Sequence, residues 1–129
     1  MGDEPEESRE DVIGEDGRYP IEAYAFLEAG LARAVKDSCG EPQPGEHHHV
    51  TGRQLCMALR QLALERWGLL ARAVLRRWNI NATIDFGNMV YLLVEHGFMG
   101  KTDEDSLDDF RDVYDFATAF NAEQELEPH

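Results

Sequence analysis

The chain has little of what most small-protein chemistries require. It has two cysteines, Cys39 and Cys56, too few for a disulfide scaffold, and Cys56 lies on an apolar helical face where a reduced, buried thiol is the usual outcome. No apolar run approaches the roughly 20 residues of a membrane span, and the acidic N-terminus has neither the positive nor the hydrophobic part of a signal peptide. A cytoplasmic location is the expectation. There is no glycine-rich phosphate loop, no nucleophile elbow and no metal-binding pair on one helix face, and neither cysteine has a recognisable catalytic partner. No catalytic residue and no cofactor is expected.

Lysine is also scarce, at two against ten arginines, and positive charge as a whole is outweighed, with a formal net charge of −14. Residues 1–18 hold eight acids and two bases, 19–100 hold eight of each, and 101–129 hold ten acids and two bases. Acidic flanks therefore enclose a neutral middle. Within it, 51–78 carries Arg53, Arg60, Arg66, Arg72, Arg76 and Arg77 against Glu65 alone, a local +5. An ordinary solvated helix surface explains this, as does a binding face for an acidic partner. Adaptation to high salt or a GC-rich genome would give a similar composition.

The 129 residues, 43% of them hydrophobic, are enough for one domain with a real core. The stretch 51–97 organises it. Thr51 and Gln54 form a capping box at a helix start, and Leu55, Cys56, Leu59, Leu62, Ala63 and Trp67 follow on apolar faces. Gly68 predicts a corner, after which Leu70, Val74 and Trp78 face inward. Thr83 predicts a cap for a third helix with Phe86, Met89, Val90, Leu93 and Val94 on its apolar face, stopped by Gly97.

Before this core, 1–18 lacks apolar periodicity beyond Val12 and Ile13 and reads as a disordered acidic tail. Pro20 then opens a helix with Tyr24, Leu27, Leu31 and Val35 on one face. Residues 38–50, with Gly40, Pro42, Pro44 and Gly45, read as a loop. His47, His48 and His49 there, between Cys39 and Cys56, suggest a metal-binding alternative, although the spacing matches no compact metal knuckle. His96 near a helix C-terminus suits the dipole rather than catalysis.

After Gly97, 98–102 can extend as a strand, 103–106 reads as a turn, and Phe110, Asp112, Tyr114 and Phe116 alternate with Arg111, Val113 and Asp115. A β-hairpin after a third helix is a winged-helix-like layout. The competing reading starts a helix at Ser106 with Asp109 at its third position. Residues 117–120 add a helical turn on the core, and 121–129 fray. The fold class is thus mainly α, a compact helical bundle over 19–120 with a trihelical core and a small β-hairpin.

Several words in the chain, Tyr19-Pro20-Ile21-Glu22-Ala23-Tyr24, Trp67-Gly68-Leu69-Leu70-Ala71, and above all Gly97-Phe98-Met99-Gly100-Lys101-Thr102 running on to Tyr114-Asp115-Phe116, carry a resemblance. The chain resembles a family of small proteins without established activity found mainly in Planctomycetes and Verrucomicrobia. The resemblance spans about 19–120 and implies one structural unit, and nothing catalytic.

For function, the helix at 84–96 offers Asp85, Asn88, Glu95 and His96 but no Arg or Lys, and Asp103, Glu104, Asp105, Asp108 and Asp109 follow, so duplex nucleic acid is repelled from the usual winged-helix face. The acidic run 103–115 lacks the central glycine and terminal glutamate of a calcium loop. A non-enzymatic protein-interaction module with another protein as partner is the leading expectation, and self-association through acidic ends and arginine face is one form of it. Nucleic acid bound through the arginine face is the alternative. The candidate binding residues are Arg53, Arg60, Arg72 and Arg76, or the acidic turn containing Asp103, Asp105 and Asp109.

Overall fold

A computed structural model describes residues 8–39, 50–99 and 107–120. The segments 1–7, 40–49, 100–106 and 121–129 lie outside the described residues. With them lie the histidine loop, the turn at 103–106, and the start and end expected to be disordered.

Six α-helices account for most of the described chain: α1 Arg9–Asp16, α2 Ile21–Cys39, α3 Gly52–Trp67, α4 Ala71–Arg77, α5 Thr83–Glu95 and the single turn α6 Phe116–Ala119. Two 3₁₀ turns, Gly68–Leu70 and Leu107–Phe110, join them. Helix α3 packs on α2, α4, α5 and the Leu107–Phe110 turn, which makes it the centre. Its start is set by reciprocal bonds: Gln54 N–H donates to Thr51 Oγ1 at 3.0 Å, and Thr51 N–H donates to Gln54 Oε1 at 2.9 Å. Leu55, Cys56, Leu59 and Ala63 are buried along it, and α2 covers it with Ala23, Tyr24, Phe26 and Leu27.

Three helix ends are closed by left-handed residues. Gly97 (φ 79°) donates to the Val94 carbonyl and Phe98 to that of Leu93, a Schellman stop for α5. Asn79 (φ 65°) does the same for α4, with Ile80 N–H reaching the Leu75 carbonyl at 2.9 Å. Asparagine tolerates this geometry through local polar contacts, and its Nδ2 donates to the Arg18 carbonyl at 3.2 Å. Gly17 (φ 71°) ends α1.

Four sequence expectations need correction. Residues 9–16 are helical where a disordered tail is expected, because Ser8 and Asp11 form a capping box and the single apolar pair Val12 and Ile13 is buried against the core. No strand occurs among the described residues, and 107–116 holds no arm of a hairpin. The reason is Thr83. It is not the cap of α5 but its first helical residue, fully buried. Its Oγ1 donates to the Phe110 carbonyl at 2.6 Å and accepts the Val113 N–H at 3.1 Å, so these backbone groups are satisfied by a side chain rather than a partner strand. Asp85 caps α5 from within, accepting Asn81 and Ala82 N–H. Gly87 lets the turn approach: a Cβ there would lie 2.8 Å from Phe110 Cβ.

The fourth correction concerns the corner after α3. Leu70 does not face inward. The 3₁₀ turn rotates the register by one residue, so Ala71 and Leu75 are buried while Leu69 and Leu70 are 69% and 64% exposed. Phe26, Trp67 and Trp78 pack together behind the corner, with ring centroids 5.1–5.9 Å apart, and hold it rigid.

A candidate interaction surface

The four arginines expected to form one stripe have different work. Arg60 Nε donates to the Ala119 carbonyl at 2.9 Å. The Arg72 guanidinium lies over the Phe116 ring, 5.4 Å from its centroid. Both therefore grip α6 from the core side and tie the C-terminal segment down. Around them Phe86, Tyr114, Phe116 and Phe120 form a second aromatic cluster, and Tyr114 Oη donates to the Cys56 carbonyl at 2.8 Å. Arg53 and Arg76 are exposed, but Arg53 belongs to the opposite end of α3.

Asp109 lies at that end too. A Cβ on Gly52 would come within 2.9 Å of Asp109 Cβ, which puts an acidic residue at the positive end of the α3 dipole. It is a structural neighbour of α3, whereas Asp103 and Asp105 lie outside the described residues. Cys56 is fully buried on α3 and burial pushes its thiol up to about 12, while His47, His48 and His49 lie outside the described residues. Among the described residues no three His, Cys, Asp or Glu side chains cluster to hold a metal ion, and no helix is long and apolar enough to cross a membrane.

One more basic residue is occupied. Arg33 on α2 makes a bidentate pair with Glu65 on α3, Nη1 to Oε1 at 2.9 Å and Nη2 to Oε2 at 2.8 Å, and this holds the Glu65 carboxyl at about 2. Tyr19, pushed up to about 12 by burial and by its 2.6 Å bond to Asp85, belongs to the core behind the α1–α2 link.

A group of exposed side chains gathers at the corner. Leu69 and Leu70 of the 3₁₀ turn and Ala73, Arg76 and Arg77 of α4 are exposed at helical spacing along one side. Arg66, exposed at the last turn of α3 and resting over the Phe26 ring, borders it. Arg66, Arg76 and Arg77 make no ion pair with any described carboxylate. This ridge differs from the stripe read in the sequence: it keeps Arg76, loses Arg53, Arg60 and Arg72, and gains Arg66, Arg77 and two leucines. The clue was the choice between Leu70 and Ala71 as the inward position after Gly68, which the 3.6-residue pattern alone does not decide. No protein-family model matches the chain, and neither curated proteins nor solved structures give a match.

Proposed function

We propose that the chain is a small non-enzymatic protein-interaction module whose α4 ridge docks an acidic, apolar-bearing segment of another protein. The observation that carries this reading is the grouping of two largely exposed adjacent leucines with arginines that pair with no described carboxylate, on one face of a strongly acidic chain. Two adjacent leucines this exposed gain free energy when a partner covers them. The arginines around them choose an acidic partner and speed its approach. Leucines at the centre of the patch favour a protein over nucleic acid, which needs phosphate contacts throughout.

The test is fluorescence anisotropy of a labelled helical peptide with leucines at i, i+3, i+4 and i+7 and glutamates elsewhere. Burying two leucine side chains contributes roughly 3 kcal/mol, so the double variant Leu69→Ser/Leu70→Ser should weaken binding about 100-fold. Added salt should weaken it further. Binding that ignores the double substitution, or is absent at millimolar peptide, refutes the reading. A labelled single-stranded oligonucleotide in the same assay is the control: tighter binding to it than to the peptide would favour nucleic acid instead.

A further inference from the structure

The ridge borders the place where another part of the chain leaves the fold. Arg72 lies on α4 three residues after Leu69 and four before Arg76, so it neighbours both. Its guanidinium covers the Phe116 ring at 5.4 Å, and the Phe116 and Phe120 ring centroids are 4.9 Å apart. Arg60 holds the Ala119 carbonyl beside them. Phe120 is thereby fixed at the edge of the ridge, and the segment 121–129 starts from it.

That segment carries Glu123, Glu125 and Glu127 and neither lysine nor arginine. Of the four segments outside the described residues it is the one that contains a leucine, Leu126; 1–7, 40–49 and 100–106 carry acids without one. Leu126 stands between Glu125 and Glu127, as the exposed Leu69 and Leu70 stand between Arg66 on one side and Arg76 and Arg77 on the other. The two patterns are apolar at the centre and opposite in charge around it.

We propose that residues 121–129 cover the ridge of their own chain, Leu126 on Leu69 and Leu70 and the carboxylates on the arginines, and so compete with the partner's acidic segment. The inference rests on the α4 ridge being the docking surface. Reach permits it. An extended chain spans about 3.3–3.6 Å per residue, so the six residues from Asn121 to Leu126 cover up to roughly 20 Å. The ridge from Leu69 to Arg76 needs roughly 10 Å. A short tether presents its segment at about millimolar effective concentration, so an intrinsic Kd of about 0.1 mM masks the ridge about tenfold. An incoming segment displaces it by burying more apolar surface than one leucine, which keeps weak acidic ligands off the ridge.

The experiment compares the isotopically labelled full chain with its Leu126→Ser variant, which changes no charge and leaves the described core unaltered. Without peptide, the amide shifts of Leu69, Leu70, Ala73 and Arg76 should differ between the two chains. In fluorescence anisotropy the acidic leucine-bearing peptide should bind the variant about three- to tenfold more tightly. A Glu4→Gln/Glu6→Gln/Glu7→Gln chain controls for the segment 1–7, and its ridge amides should match those of the unmodified chain. Ridge amides unmoved by Leu126→Ser, or moved as much in the control, overturn the masking. Equal peptide affinity for the unmodified and Leu126→Ser chains overturns it too, and in each case the ridge stands as long as the peptide binds. Peptide binding to neither chain overturns ridge and masking together.

Discussion

Replacing Thr83 by valine tests the account of the C-terminal segment. The two side chains have nearly the same shape, so no cavity opens; only the hydroxyl is lost. Thr83 Oγ1 donates to the Phe110 carbonyl and accepts the Val113 N–H, and Thr83 is fully buried. An unsatisfied buried polar group costs about 1–3 kcal/mol. The Phe110 carbonyl should carry the full cost, and the half-buried Val113 N–H less, since water can reach it. The sum is about 3 kcal/mol, a large part of the stability of a domain this size. At roughly 4–8 °C per kcal/mol it lowers Tm by about 12–24 °C. Denaturant unfolding followed by fluorescence of Trp67 and Trp78 gives the free energy, and amide exchange across 107–120 should rise more than across α3. Thr83→Ser, which keeps the hydroxyl, should lose about 1 kcal/mol or less. A Thr83→Val protein within 0.5 kcal/mol of the unmodified chain would refute the reasoning.

Other expected outcomes follow from neighbouring features. Gly87→Ala should destabilise by about 1–3 kcal/mol despite alanine's better helix propensity, because its Cβ would press on Phe110; denaturant midpoints compared with an exposed Gly→Ala control would read it. The Glu65 carboxyl is held near 2 by Arg33 against an ordinary 4.5. Its stabilising effect is therefore complete above pH 4.5 and fades as pH falls towards 2, and Glu65→Gln should flatten the stability profile in that window. Cys56, held protonated up to about 12 by burial, should resist alkylation at pH 8 in the folded chain and react on unfolding, followed by mass spectrometry of its peptide.

Much of the fold is legible in the residues. Thr51 with Gln54, and Gly68 and Gly97, mark helix ends through backbone chemistry that acts locally, so both ends of α3 and the C-terminal end of α5 follow from the sequence. What escapes depends on distant partners. The helix α1 rests on one apolar pair, Val12 and Ile13, which shows no periodicity until the core that buries it is in place. The alternation from Phe110 to Phe116 resembles a strand, yet the Thr83 hydroxyl, 27 residues earlier in the chain than Phe110, claims the backbone groups a strand partner would need. The arginine stripe was legible as charge but not as function. Arg60 and Arg72 read like Arg76 in sequence, and only the position of α6 turns the first two inward.

The most direct test of the ridge is an NMR titration of the isotopically labelled full chain with the acidic leucine-bearing peptide, following amide shifts residue by residue. The account predicts that the largest changes cluster at Arg66, Leu69, Leu70, Ala73, Arg76 and Arg77, and saturate together. Changes centred instead on Arg53 and the Asp109 turn, or no saturable changes at all, would contradict it.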